Sequence, residues 1–264
     1  MKRITTVLTF CLIIANNFAF SQTAEEIKAK EIIEKAINSR GGKELLSNIK
    51  TLYTKSSAVM DGRDVNYITK EMAPNLGSFE IEYQGRIVYR SWFDGKTGYE
   101  TVKGQKQIAD QDEFKDKHDR KYIMNEVAYL DPELFKVKFI KTDNEQKLHE
   151  VEATAKDGSI TNLFYDTESF LLKKEEKRNP SKNSFSTIVC TDYKKFGDLT
   201  YCSKNIFKSE NGDQVVTLLD HILTRFYLFK MKKKLFYTNE NLIIKIRIRS
   251  DECILVFKTY KILI

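Results

Sequence analysis

A chain of 264 residues with 41% hydrophobic and 31% charged side chains is long enough for one large β domain or two small ones. Its net charge of +7 is misleading as a sign of nucleic-acid binding, because residues 221–264 hold 10 Lys/Arg against 3 Asp/Glu, which accounts for all of it. The preceding 220 residues balance to zero, so no basic stripe for phosphates runs along the main body and nucleic acid is excluded as a partner.

The N-terminus reads as a secretory signal: Lys2 and Arg3, an apolar run from Val7 to Ala15, and the small-residue site Ala19-Phe20-Ser21. A short membrane anchor is the competing reading, but the run is too short for about 30 Å of hydrocarbon. Export to the periplasm with a cut after Ser21 is expected, leaving about 243 residues. Cys11 follows Phe10 where a lipoprotein signal wants a small residue, which argues against a lipid-anchored chain. No later run reaches about 18 uncharged apolar residues, so no membrane span is expected in the mature chain.

Thr23-Ala24-Glu25-Glu26 is a capping box, and Ala29, Ile32, Ile33, Ala36 and Ile37 follow at the spacing of one apolar helical stripe. Gly41-Gly42 stops that helix, and a short second one is expected from Lys43 to Ile49.

From Thr51 to about Ser209 the period shifts to two. Phe79, Ile81 and Tyr83 alternate with Glu80 and Glu82, Phe135, Val137 and Phe139 with lysines, and Val151, Ala153 and Ala155 with Glu152 and Thr154. Such alternation marks half-buried antiparallel strands. Asp94-Gly95 is expected to form a two-residue type I′ turn, with further hairpins at Asp157-Gly158 and Gly197-Asp198. If Gly197-Asp198 is a two-residue turn, Cys202 sits opposite Tyr193 and Cys190 opposite residue 205, with the two sulfurs on opposite faces. A Cys190–Cys202 bridge is therefore not expected, and Cys253 is left over. The charged stretch from Asp110 to Arg120 reads as a loop or frayed helix, and Asn179 to Ser184 as a loop.

Beyond Asp220 there is no Gly or Pro, and the composition narrows to Ile, Leu, Phe, Tyr, Lys, Arg and Asn. One reading is a set of closing strands; the favoured one is a reading frame lost near residue 220, leaving residues 221–264 as an atypical basic, apolar tail outside the working domain of residues 22–220.

Chemistry is sparse. His118, His149 and His221 lie far apart without partners at ligand spacing, so no metal is expected, and no motif for a cofactor is present. Ser91 has no histidine placed to activate it. Glu80 with Glu82, and Asp131 with Glu133, read as solvated carboxylates rather than a glycosidase pair. No catalytic residues are assigned. The aromatics are more informative: Trp92, the only tryptophan, stands among Tyr83, Tyr89, Phe93 and Tyr99, consistent either with core packing or with a bent sheet facing an apolar cavity.

The order of these features is familiar: a signal, a helix ending in Arg40-Gly41-Gly42, strands, the segment from Trp92 to Tyr99, that from Phe164 to Glu175, and that from Asp192 to Asp198. Together they resemble the LolA/LolB-like outer-membrane lipoprotein-sorting proteins over roughly residues 24–217. The resemblance implies a mainly β fold with N-terminal helices, a half-open antiparallel barrel whose apolar cavity carries lipoprotein acyl chains through the periplasm. It also implies envelope transport partners. Departures are Cys202 where relatives have proline, Gly197-Asp198 in place of Asp-Gly, and the tail where relatives have one or two closing strands.

Residues expected to line the cavity are Phe79, Ile81, Tyr83, Tyr89, Trp92, Val137, Phe139 and Phe164 from the sheet, with Ile33 and Ile37 from the helix. Alternation fixes which of them share a face but not which face is concave. The second reading is a secreted or envelope β-rich module that binds a protein and has no lipid cavity, and an enzyme comes third.

Overall fold

A computed structural model describes residues 22–179, 184–208 and 212–224; the expected signal, Cys11, Cys253, most of the Asn179–Ser184 loop and residues 225–264 lie outside them. Helix α1 (Ala24–Ser39) begins at Thr23, whose hydroxyl oxygen accepts the Glu26 N–H at 3.1 Å. Only this half of the capping box forms, because the Glu26 carboxylate takes the Lys30 ammonium at 2.7 Å instead of reaching back. The stripe of Ala29, Ile32, Ile33, Ala36 and Ile37 is buried as a set. Gly41 ends the helix at φ 124°, and a Cβ there would lie 2.5 Å from the Asp198 carbonyl oxygen. Glycine is thus required twice, by dihedral and by the close approach of a β-turn. Helix α2 (Lys43–Asn48) follows.

One antiparallel sheet holds the thirteen strands of the described residues. The first six are β1 (Thr51–Met60), β2 (Arg63–Met72), β3 (Leu76–Tyr83), β4 (Arg86–Phe93), β5 (Gly98–Val102) and β6 (Gln105–Ile108). A connection carrying a 3₁₀ turn (Gln111–Phe114), α3 (Lys115–His118) and α4 (Asn125–Tyr129) then leads to the opposite edge. From there run β7 (Phe135–Asp143), β8 (Leu148–Ala155), β9 (Ile160–Asp166), β10 (Leu172–Asn179), β11 (Ser184–Phe196), β12 (Leu199–Lys208) and β13 (Gln214–Thr224). Each half is a meander of hairpins, and the halves join where β13 pairs with β1. The sheet is curved and not closed, with β6 and β7 as its edges. The antiparallel strands are those the alternating pattern predicts, and the half-open barrel is what the family resemblance implied.

The turns differ from expectation in an instructive way. Phe93 pairs with Gly98, so Asp94-Gly95 is half of a four-residue loop, not a type I′ turn. The Asp94 carboxylate caps that loop, accepting the N–H of Lys96 at 3.0 Å and Thr97 at 2.9 Å. Type I′ geometry occurs instead at Asp61-Gly62, Gln84-Gly85 and Lys103-Gly104, where both residues of each pair have positive φ and the flanking residues pair. Phe196 pairs with Leu199 across Gly197-Asp198, and Gly197 takes φ 61°, as a type II′ turn needs.

The cysteine expectation is corrected. Cys190 and Cys202 form a disulfide, with their Cα atoms 6.1 Å apart. The register is as anticipated, Tyr193 opposite Cys202 and Cys190 opposite Asn205, but irregularities on both sides of Asp192 lie between those pairs. A bulge adds a residue to one strand and reverses the alternation beyond it, bringing both sulfurs to one face. Strand β13 also passes the break expected at 220, pairing His221 with Thr54 and Thr224 with Thr51.

Helix α1 packs on β7, and the main core joins its stripe to Val137, Val151, Ala153, Leu163 and Tyr165. Replacing Cys190 with Ala is expected to cost about 2–3 kcal/mol in urea unfolding, the entropy of closing a loop of this separation. Reduction of the unaltered protein should cost the same, and equal midpoints with and without reductant would contradict the bridge.

Candidate functional site

Directly opposed residues share a face, so the ladder sorts the aromatics. Ser56, Tyr67, Ile81 and Tyr89 form one row, and Thr54, Thr69, Phe79 and Ser91 the next. The row of Leu52, Glu71, Gly77 and Phe93 follows on the same face. Arg120, from the connection between the sheet edges, reaches Glu71, and Phe114 stacks on Phe93 at 5.8 Å. This face is therefore the covered, concave one. Tyr83 lies on it too, packed with Ala58, Val65 and Val216.

Two residues expected in the cavity wall lie on the other face. Trp92 pairs with Ser78 and Tyr99, stacks on Tyr99 at 5.5 Å and lies beneath the Lys106 ammonium. Phe164 pairs with Glu150 and Lys174 and is capped by the Lys174 ammonium, 3.8 Å from its ring. Val137, Ile33 and Ile37 are solid core beneath α1, while Phe139 sits at its edge under Lys28. Phe79, Ile81, Tyr83 and Tyr89 share the concave face, and Phe79 borders a cavity.

Three adjoining cavities run along that face. One of about 170 Å³ lies over Tyr67, Phe79, Phe207 and Val216. It shares Tyr201, Asn205 and Phe207 with a second of about 300 Å³, under Met124 and bounded by Leu52, Leu172, Ile188 and Tyr193. The second shares Glu71, Arg120, Tyr129 and Glu175 with a third of about 400 Å³, beside Leu134 and Phe135. The result is a trough divided by a polar wall. It lies beside α1 and beneath α4, whereas the space directly under α1 is filled.

That wall was not anticipated as a site. Arg40, at the end of α1, is buried: its carbonyl accepts the Thr200 N–H at 3.0 Å, its Nε donates to the Thr200 carbonyl at 3.2 Å, and its guanidinium pairs with buried Glu126 of α4. Arg120 forks onto both oxygens of Glu71. Glu175, on β10, lies opposite Leu163 and Ile188 and has no ion pair or hydrogen bond among the described residues. Burial, reinforced by the Glu126 carboxylate, holds its pKa above the usual carboxylate range, against the pull of Lys177. Burial likewise pushes the hydroxyls of Tyr129 and Tyr165 well up. Tyr165 is fully buried and its hydroxyl lacks a partner among the described residues. Glu175 could be found in sequence only by knowing that the register shifts between Leu172 and Lys174, which turns Glu175 inward and Lys174 outward.

Among the described residues no group of three or more His, Cys, Asp or Glu could hold a metal, and no helix is long and apolar enough to cross a membrane. The arrangement can shelter apolar groups against a polar divider.

No protein-family model matches this chain, and no curated protein sequence does. Solved structures do resemble it. A LolA superfamily protein from Nitrosomonas europaea superposes with TM-score 0.55 at 12% identity, over 80% of this chain and 97% of that one. A putative outer membrane lipoprotein-sorting protein domain from Vibrio parahaemolyticus does so at 0.52 and 11% identity, over 79% and 96%. The fold is LolA-like.

Two stability predictions follow from the wall. Arg40→Met leaves Glu126 buried without its cation and is expected to cost about 3–5 kcal/mol in urea unfolding, while the double variant with Glu126→Leu recovers most of the loss. A single variant as stable as the parent would mean that the pair is solvated. For Glu175, native protein keeps a proton that the unfolded chain has released as pH rises past the ordinary carboxyl value, so this group lowers stability as pH increases. Glu175→Gln should therefore raise the urea midpoint at about pH 8 and leave it unchanged near pH 3. A gain of the same size at both would contradict the assignment.

Proposed function

We propose that this protein is a periplasmic carrier that binds the acyl chains of lipoproteins, or other lipids, in the concave trough and moves them toward the outer membrane without a catalytic step. The observation that carries the reading is the run of adjoining cavities bordered by Phe79, Phe207, Leu52, Leu172, Ile188 and Leu134. Burying an acyl chain there gains about 0.8 kcal/mol per CH₂. The LolA-like fold supports the same reading, as does the secretory signal read from residues 1–21. Donor and acceptor partners in the envelope would be needed to load and empty the trough.

A second reading, an envelope module that binds protein through its sheet, is favoured by one observation. Val59, Val215 and Leu219 on neighbouring strands β1 and β13 remain 57%, 43% and 59% exposed.

The purified protein is expected to release lipid on organic extraction, detected by mass spectrometry, and to bind a fluorescent fatty-acid probe. Phe79→Asp should weaken probe binding about tenfold by placing a charge in the apolar wall. Because Trp92 lies on the convex side, its emission should stay fixed while ligand saturates the trough. Absence of both lipid and probe binding would sink the carrier reading and leave the module.

A further inference from the structure

We infer that the hairpin rim at one end of the sheet is a docking surface for a lipid bilayer that carries anionic head groups. The inference goes beyond the carrier reading and is tested without it.

Strand direction decides which residues share this rim. β1, β3 and β5 run toward it and β2, β4 and β6 run away, so the turns Asp61-Gly62, Gln84-Gly85 and Lys103-Gly104 stand side by side along one border. Neighbouring tips lie about 10 Å apart, the width of two strands. β12 ends and β13 begins at the same border, where Phe207 pairs with Gln214.

Exposed apolar side chains collect there. Among the described residues ten large hydrophobic side chains are exposed, and six of them, Val59, Ile87, Val88, Val102, Phe207 and Val215, lie on this rim. Apolar residues scattered singly over a surface need no explanation, whereas a run of them along one border marks an interaction site. Val59 and Val215 also line a shallow groove of about 350 Å³ with Asp64. Phe207 links the rim to the interior, because it borders two of the trough cavities as well.

Charge selects the occupant. Residues 83–90 and 101–106, which form the β3–β4 and β5–β6 tips, contain Arg86, Arg90, Lys103 and Lys106 and no carboxylate. Arg90 is held by Glu80 and Lys106 lies over the Tyr99 ring, but Arg86 and Lys103 are exposed and have no ion pair among the described residues. Carboxylates are confined to the first tip, where Asp61 and Asp64 flank an Arg63 that lies over the Tyr83 ring. Aliphatic side chains with cations and tyrosines beside them suit the boundary of a bilayer: hydrocarbon takes the Ile and Val, the cations stay among the head groups, and the rings lie between. A protein interface is instead depleted of lysine at its centre and packs one continuous patch, not separate hairpin tips. Docked by this rim, the molecule brings the Phe207 side of the trough to the lipid.

The test floats the purified protein on a density gradient with vesicles of phosphatidylcholine alone, or of phosphatidylcholine and phosphatidylglycerol in equal parts. Binding to the anionic vesicles is expected to be about tenfold tighter, the scale of two cations at an anionic surface, and about 1 M salt should remove the difference. Val88→Asp should weaken binding to both vesicles about tenfold. Arg86→Gln with Lys103→Gln should bring the two vesicles within about twofold of each other. Ile140→Asp, also exposed but on the edge strand β7 away from this rim, should bind like the parent. Each of these side chains is exposed, so the variants should keep the parental urea midpoint. Equal binding of the unaltered protein to both vesicles overturns the inference. So does binding that survives Val88→Asp, as attachment through residues 1–21 or 225–264 would. No flotation with either vesicle also overturns it and returns the rim to a protein partner. The comparison of vesicles on unaltered protein depends on no variant, and binding of the fatty-acid probe tests the carrier reading separately.

Discussion

Taking a guanidinium and a carboxylate out of water costs several kcal/mol per ion, and the cost is recovered only where geometry and further hydrogen bonds are good. Arg40 meets that condition by serving three elements at once. It caps α1, exchanges two hydrogen bonds with Thr200 at the start of β12, and holds Glu126 on α4. Helix α4 has only five residues, too few to be stable by itself, so its place over the trough depends on this contact and on Val127 and Tyr129 in the core. The absence of a side chain at Gly41 completes the arrangement, letting the helix end lie against the β11–β12 turn. The roof of the trough thus rests on one buried ion pair together with the apolar contacts of α4.

Alternation and punctuation made the architecture readable. The α1 stripe was legible residue by residue because a helix on a sheet must bury one side, and the strands were legible because one face is wet. What alternation could not supply was its own interruptions. The irregularity between Cys190 and Tyr193 brings two cysteines together, and that at Leu172 to Lys174 turns Glu175 inward; neither leaves a Gly or Pro as a marker. Turn type was also obscured, since Asp94-Gly95 looks ideal yet a capping carboxylate draws it into a longer loop, while Gln84-Gly85 makes the tight turn.

The site was half legible for a related reason. Phe79, Ile81, Tyr83 and Tyr89 share the concave face, as alternation required, but Trp92 stands one step out of phase with Tyr89 and Ser91 and belongs to the convex side. Its burial comes from Tyr99 and Lys106 on neighbouring strands rather than from an interior. The polar wall escaped because Glu126 lies on a five-residue helix too short to show a stripe, and Glu175 on a strand where charged residues read as solvent-facing until a register shift turns it inward. The interior is correspondingly less greasy than aromatic content alone suggests.

The strand order carries a consequence for how the molecule assembles. Within each meander neighbouring strands are sequence neighbours, so their pairing closes only short loops and can proceed as the chain emerges. The β1–β13 seam is different: Leu52 must find Leu223, with nearly the whole described chain between them. Until that partner arrives, β1 is an open edge in the middle of the future sheet, able to pair with another chain. The slowest contact to form is thus also the one that turns two curved ribbons into a single concave surface, so the trough is complete only after the last described strand has docked.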